Sequence, residues 1–403
     1  MKRAVSLLPI LAWLSMLTVG QVRPPLTAEV RKKTFEKAWK TVDKNFYDKN
    51  FNGVDWKAVK KRYAPLIEAA KSDAEFYDLM KRMMREPKVS HMDVIIPQDT
   101  ARLRERPAIT GIAIRKLDDK LVVTRIIENS SAAAAGIKLG YVVSRIDGDA
   151  VGTLAEAQRR LSGSADSTVK LSFLDAADEL RDIELIRRPI SDDNRSRLGS
   201  LVLYGIFDSK RLPDNVGYIY FSNFIPFMAD RFKAAVESML DTDGMIIDLR
   251  GNSGGDDLVG IKIAGLFFEK STQLMFSRTR HGHDQFEYFA RAGKDPYRGK
   301  LVILVDDHSK SASEQFAAGM QESGRAVVVG IQTPGEDLDG DLEELPDGSL
   351  LLYAVGEPRT PKGRVIEGSG VIPNIDARLT RSDLLAGRDT QLEAALAYLR
   401  SKK

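Results

Sequence analysis

Ser311 opens a helical pattern directly after an apolar strand, in the run Val302-Ile303-Leu304-Val305-Asp306-Asp307-His308-Ser309-Lys310-Ser311-Ala312-Ser313-Glu314-Gln315. A hydroxyl at that position sits beside unpaired backbone N–H groups and the positive end of the helix dipole, which together can stabilise a developing oxyanion. Nucleophilic acyl transfer is the chemistry this suits. From this segment alone the position suits a helix cap better still, with Ser309, Ser311 or Ser313 accepting from first-turn N–H groups. A second stretch, Asp248-Leu249-Arg250-Gly251-Asn252-Ser253-Gly254-Gly255, also follows an apolar strand. Its glycines let backbone approach a ligand closely, and successive N–H groups can line an anion-binding concavity. Neither G-x-x-x-x-G-K-[ST] nor G-x-G-x-x-G is present, so the choice lies between an oxyanion hole and an ordinary tight turn.

The chain has four histidines: His91, His281, His283 and His308. His91 lies in the loop Arg85-Glu86-Pro87-Lys88-Val89-Ser90-His91-Met92-Asp93, where a single histidine is ordinarily solvated surface. His281-Gly282-His283 offers two metal ligands without a third, and a surface loop explains it as well. His308 is three residues before Ser311, too close along the turn to make a comfortable base. The 403 residues include no cysteine, which removes thiol catalysis, disulfides and thiolate metal sites together. A net charge of +3 and 7% aromatic residues give no basic field of the kind nucleic acid requires.

The elements that must position these residues fall into three textures. From Thr27 to Phe46, Val30, Phe35, Trp39, Val42 and Phe46 share a helical face; a second helix follows Asp55-Trp56, and a third runs from Ser72 as N-cap. These form a helical N-terminal domain, residues 27–100, with Pro87 ending its third helix. Residues 105–190 hold short β-rich runs (Ile109-Ile114, Leu121-Ile127, Tyr141-Ile146, Val169-Phe173, Ile183-Ile186) separated by turn dipeptides, with one helix at Thr153–Leu161. Ser191 to Arg197 is a polar connector. Beyond it, residues 198–400 alternate strands (Val216-Phe221, Met245-Leu249, Leu301-Val305, Ala326-Gly330) with helices (Ala229-Leu240, Leu258-Phe268, Ala312-Glu322). That alternation predicts a multidomain α/β protein whose last domain has a parallel or mixed sheet covered on both faces, its active site at loops leaving the strands.

The N-terminus points to export. Met1-Lys2-Arg3 is basic, and the apolar run Leu7–Val19 is shorter than the ~20 residues needed to span a bilayer. With small residues at Thr18 and Gly20, residues 1–20 read as a signal peptide cleaved near Gly20, an uncleaved membrane anchor being the alternative. No other run approaches ~18 apolar residues. The compartment is then periplasmic or extracellular.

Together these segments resemble the C-terminal-processing (tail-specific) and tricorn-type serine peptidases. Thr110-Gly111-Ile112-Ala113-Ile114 and Ala135-Gly136-Ile137-Lys138-Leu139-Gly140-Tyr141 through Gly148 resemble a bacterial PDZ domain, with Tyr141 where that pattern usually has Asp. Asp248 to Gly255 resembles D-L-R-x-N-x-G-G, and Ser311-Ala312-Ser313-Glu314 resembles S-A-S-E. Leu345 to Gly348, Glu367 to Ile375 and Gly387 to Asp389 are similar to the family's C-terminal blocks. The resemblance implies a small helical domain, a PDZ-like domain and an α/β core of crotonase/ClpP-like kind.

The processing branch pairs its serine with a lysine in G-E-x-T-x-G-K, but here the stretch is Gly330-Ile331-Gln332-Thr333-Pro334-Gly335-Glu336, with Glu336 in the lysine's place. A carboxylate cannot replace the amine of a Ser–Lys dyad, and Lys310, adjoining Ser311, does not match the motif. The tricorn-like branch uses a Ser–His pair, and Ser90-His91 matches its dipeptide. The resemblance therefore implies Ser311 as nucleophile, His91 as base and then acid, Ser90 and Glu367 as its orienters, and an oxyanion hole from Ala312 with Gly254 or Gly255. It implies no cofactor and no metal. Gly111, Ile112, Ala113 and Ile114 would bind a substrate's C-terminus, favouring proteins or peptides ending in apolar residues. The expected function is an exported serine endopeptidase cutting near C-termini. The rivals are a catalytically inactive peptide- or ligand-binding envelope protein and a PDZ scaffold.

Overall fold

In the computed structural model, residues 24–198, 201–280 and 285–401 are described. The signal-like residues 1–20 and the pair His281 and His283 lie outside them. Three helices, Ala28–Asn45, Trp56–Ala69 and Asp73–Met84, open the described chain. Their starts follow local chemistry: Thr27, Asp55 and Ser72 each accept a first-turn N–H on the side chain. The stripe of Phe35, Val42, Trp56, Phe76 and Met80 is buried against Val94, Leu351, Tyr353 and Ala354. The helices thus share one core with a β-sheet rather than closing on themselves.

That sheet is antiparallel, with strands in the order Asp93–Ile95, Leu350–Arg359, Thr272–Thr279, Gln285–Ala290, and Asp339–Glu344 paired to Leu350–Arg359. Asp93 opposes Leu352 and Ile95 opposes Leu350. This register matters for function, because it carries the loop ending at Met92 across the molecule.

The second unit is a six-stranded antiparallel sheet with strands Ile112–Leu117, Lys120–Ile126, Val142–Ile146, Thr168–Leu174 and Leu180–Ile186 along its path. Ile114, Val123, Ile146, Leu171 and Phe173 alternate inward, and the helix Leu154–Leu161 closes their core with Ala157 and Leu161.

The third unit is a six-stranded sheet in which Val216–Phe221, Gly244–Asp248, Lys300–Val305 and Val327–Gly330 run parallel, with Phe207–Leu212 antiparallel at one edge. Successive residues are buried on opposite faces. Ile219, Ile247 and Ile303 meet the helices Pro226–Glu237, Asp257–Ala264 and Ala312–Glu322, while Tyr218, Ile246 and Val302 meet Ala395 of the helix Thr390–Arg400. Burial on both faces explains why these strands are continuously apolar.

Several elements differ from the sequence expectation. The helix expected from Ala229 starts at Pro226, whose fixed φ suits a first helical position. The helix expected to reach Phe268 ends at Ala264 and continues as a 3₁₀ turn, Gly265–Phe267. The polar connector contains a strand, Arg195–Leu198, paired with Leu201–Tyr204.

Candidate active site

The loop leaving the strand Lys300–Val305 is fixed by short polar bonds. Ser309 Oγ donates to the Leu249 carbonyl (2.8 Å) and accepts from the Asp306 N–H (3.0 Å). Ser309 is therefore spent on holding the loop. Asn252 ties the neighbouring glycine loop to it, since its carbonyl accepts from the Lys310 N–H (3.1 Å) and from Ser313 Oγ (2.9 Å). Ser311 lies between these anchors at φ 53° and ψ −124°. A capping serine normally sits in the β region, whereas a non-glycine residue here is strained by about 1–3 kcal/mol. Ser311 is thus held out of cap geometry at the head of the Ala312–Glu322 helix.

Glu314, fully buried, fastens the next loop to that helix. Its carboxylate accepts from Thr333 Oγ1, from the Gly335 and Glu336 N–H groups (2.7 and 2.9 Å) and from the Ser311 N–H (3.2 Å). Burial pushes its carboxyl upward, opposed by these donors. The Glu336 carbonyl also accepts from the Ser311 N–H (3.0 Å), so residues 333–336 are clamped against the serine. The Glu336 side chain turns to Lys310, whose Nζ is 2.8 Å from both carboxylate oxygens.

The continuation of that clamped loop meets Glu367 and Ser90. Asp337 donates its N–H to Glu367 Oε2 (2.8 Å), and the Leu338 N–H reaches Ser90 Oγ (3.4 Å). Glu367 also accepts the Ser90 N–H (2.7 Å) and the Ser90 hydroxyl (2.8 Å), and Ser90 Oγ lies 2.8 Å from His91 Nδ1. A serine hydroxyl has one proton, and Glu367 takes it. Ser90 must therefore accept from Nδ1–H, which leaves His91 Nε2 with a free lone pair. Burial lowers the His91 pKa; Glu367 and Glu336 oppose this, and Lys310 adds to it. The imidazole is neutral at pH 7 and within electrostatic reach of Lys310 and Glu336.

The glycine loop completes the site from the other side. Gly254 adopts φ 91°, and a Cβ there would lie 2.7 Å from both Ser311 Cβ and the Lys310 carbonyl. Gly255, at φ 141°, would collide with the Phe224 carbonyl at 2.2 Å. Only glycine fits either position. One expectation is corrected: the Gly254 N–H donates to Asn252 Oδ1 (3.0 Å) and is not free for an oxyanion. The N–H groups of Gly255 and Ala312 have no partner among the described residues.

Away from Ser311, the strand Ile112–Leu117 and the helix Leu154–Leu161 flank a cleft of about 230 Å³. Ile112, Ala113 and Ile114 line it, with Gln158 and Leu161 opposite and Tyr220 and Gly251 of the large domain at one side. Gly111 is at the head of that strand. Two arginines seat this domain on the large one. Arg115 Nε is 3.1 Å from Asp306 Oδ2, and Arg125 donates to Asp248 Oδ2 (2.6 Å) with its guanidinium 3.6 Å from the Tyr220 ring centre. Burial alone would raise the Asp248 pKa, but Arg250 and Arg125 outweigh it and hold the carboxyl well below the usual range.

Sequence reasoning named Ser311, His91, Ser90, Glu367, Gly255 and Ala312; hydrogen bonds join Ser90, His91 and Glu367, and Ser311 and Ala312 pack against Gly254 of the glycine loop. It passed over Glu314, although a glutamate three residues after a helix-opening serine is a capping signature. It also passed over Arg115, Arg125 and Asp306, which no local pattern marks. His308 donates its N–H to Asp306 Oδ1 (2.9 Å) and faces Arg115 electrostatically.

Comparison with known proteins follows these divisions. Residues 215–377 match the family described as Peptidase family S41, residues 27–85 the Tricorn protease C1 domain, and residues 108–183 a PDZ domain. A carboxyl-terminal-processing protease of Synechocystis sp. is 26% identical over 402 residues, covering 96% of this chain and 90% of that protein. Carboxyl-terminal-processing peptidase 2, chloroplastic, of Arabidopsis thaliana is 29% identical, covering 84% of this chain and 67% of that one. The solved photosystem II D1 C-terminal processing protease shares the fold with a TM-score of 0.61 at 24% identity, over 92% of this chain and 98% of its own.

Proposed function

Because this chain belongs to peptidase family S41, with a PDZ domain inserted ahead of its catalytic domain, we propose that it is a serine endopeptidase that cuts polypeptides near their C-termini using a Ser–His unit. Ser311 Oγ attacks the scissile carbonyl while His91 Nε2 removes its proton. The resulting oxyanion is held by the N–H groups of Gly255 and Ala312 and by the helix N-terminus. His91 then returns the proton to the leaving amine, the C-terminal fragment departs, and water, activated by the same imidazole, releases the acyl group. Ser90 and Glu367 keep the imidazole in the tautomer this needs.

The observation that carries this reading is the chain of bonds Glu367–Ser90–His91, built onto the loop whose Glu336 carbonyl grips Ser311. It supplies a base without the lysine, so Glu336 does not imply a dead site. In the cleft beside Ile112, a substrate's C-terminus would add as a strand, its carboxylate near Gly111 and its apolar side chains against Ile112 and Leu161. Export is part of the proposal, resting on the segment 1–20; among the described residues no helix is long and apolar enough to cross a membrane.

A fluorophosphonate probe tests the assignment. Wild type is expected to gain one covalent adduct on Ser311, by intact mass and peptide mapping, and both Ser311→Ala and His91→Ala to gain none. Undiminished labelling of His91→Ala would remove the assigned base. Peptide binding with no labelling or turnover in wild type would favour the inactive binding protein instead.

A further inference from the structure

An apolar groove beside the catalytic domain is unused by the mechanism above. A groove of about 540 Å³ runs between the helix Asp257–Ala264 and the strand Gln285–Ala290, lined by Leu258, Ile261, Tyr288 and Phe289 with Lys262 and Arg291 at its rim. Leu258 is 58% exposed and Phe289 40%, which is unusual for large apolar side chains on adjoining elements. Glu287, Tyr288 and Phe289 all line the groove although they are consecutive. Side chains of a strand alternate faces, so the groove follows the strand's edge rather than either face. That edge is the outer one: the strand ends its sheet, and no strand pairs with its far side among the described residues. An open strand edge presents unpaired N–H and C=O groups to an extended chain.

The groove shares a wall with a cavity beside the helix that follows Ser311. The helix that forms one wall begins two residues after Gly255. Ile261 belongs both to the groove and to a second cavity, of about 10 Å³, walled by Ala312, Gln315 and Phe316. The groove and this cavity thus share the wall at Ile261, and the cavity reaches Ala312, whose N–H is assigned to the oxyanion. Polarity follows from the proposed function, on which this inference rests. The cleft assigned to the substrate's C-terminus is bordered by Tyr220 and Gly251, at the start of the glycine loop, whereas the groove is walled by the helix that begins just beyond that loop. We infer that this groove binds the substrate segment on the N-terminal side of the scissile bond, as an extended strand along Gln285–Ala290 with apolar side chains against Leu258 and Phe289. Two anchors, one for each end of the substrate, would make the enzyme select an internal sequence as well as a tail.

The test uses binding to the Ser311→Ala protein, so that it does not depend on turnover. Two fluorescent peptides share one C-terminal half; one continues upstream of the scissile bond through six residues rich in Leu and Val, and the other stops one residue upstream. The longer peptide is expected to bind more tightly, and Leu258→Glu with Phe289→Glu to weaken it about tenfold while leaving the short one unchanged. Leu258→Ser alone, at an exposed position, should give a smaller loss in the same direction, with melting curves reporting the fold of each variant. Equal affinities for the long and short peptides in folded variants would overturn the inference. So would sedimentation showing a dimer that the substitutions dissociate, since a second copy would then fill the groove. Discrimination between the peptides without fluorophosphonate labelling of the Ser311 protein would keep the groove and remove the peptidase mechanism.

Discussion

His91 owes its readiness as a base to burial, which costs the imidazolium more than the neutral ring. Its pKa lies below the ordinary 6.5, so kcat/KM should already be on its plateau at neutral pH and fall only as the imidazole protonates below 6.5. Glu336 and Lys310 act on that titration in opposite directions. Glu336→Gln should therefore move the acid limb to lower pH and Lys310→Met to higher pH, each by a fraction of a unit, in a pH profile of kcat/KM. An unmoved limb in both would mean that the titrating group is not His91. Asp337 poses a different residue-scale question. Its carboxyl is fully buried, neither oxygen has a partner among the described residues, and burial, with Glu314, Asp257, Asp339 and Glu367 nearby, raises its pKa well above the usual range. A raised folded pKa means stability that is complete below the unfolded value, ~3.9, and lost as pH rises toward the folded one. Asp337→Asn, uncharged at every pH, should accordingly melt several degrees above wild type at pH 8 and nearly level with it at pH 4. The reverse ordering would show that the carboxylate is partnered.

At the scale of elements, the strand Asp93–Ile95 explains how the base arrives. Its pairing with Leu350–Leu352 places the preceding Ser90 and His91 beside Glu367, 277 residues from Ser90, and against Gly340, where a Cβ would come within 2.8 Å of the imidazole. The small sheet is joined to the large one by another long-range contact, Arg125 on the strand Lys120–Ile126 with Asp248. Arg125→Met would leave a fully buried carboxylate with Arg250 and Tyr218 alone, at a cost of up to about 3–5 kcal/mol in urea unfolding. Because the folded Asp248 pKa is depressed, the stability it contributes is present above ~3.9 and lost as pH falls below that value. The difference between wild type and Arg125→Met should shrink in acid. A difference that stays constant down to pH 2 would argue that packing, not charge, is the larger effect.

Taken as one molecule, the protein has two clefts outside the Ser311 loop, one on the small β domain and one along the outer strand Gln285–Ala290. If the first captures C-termini, amidating a peptide's terminal carboxylate or introducing Ile112→Asp should raise KM about tenfold or more with kcat nearly constant. An equal fall in kcat with unchanged KM would instead make that domain part of the catalytic step. The parts of this arrangement were unequally legible. Caps at Thr27, Asp55 and Ser72, the alternating strands of the small domain, and the helix Ala312–Glu322 are local signals, and each element starts within a few residues of its expected place. The antiparallel sheet through Leu350–Arg359 has no such signal for its first strand, because Asp93–Ile95 pairs with Leu350–Leu352 across more than two hundred residues and that pairing is visible only after folding. Residue types by themselves determined the available chemistry: no thiol, a serine at a helix head, a Ser-His dipeptide and a glutamate where a lysine was expected. Tertiary structure alone decided that the Gly254 N–H is spent on Asn252 and that Glu367, Ser90 and His91 are joined by hydrogen bonds, since bonds between distant segments depend on packing that no stretch of sequence contains.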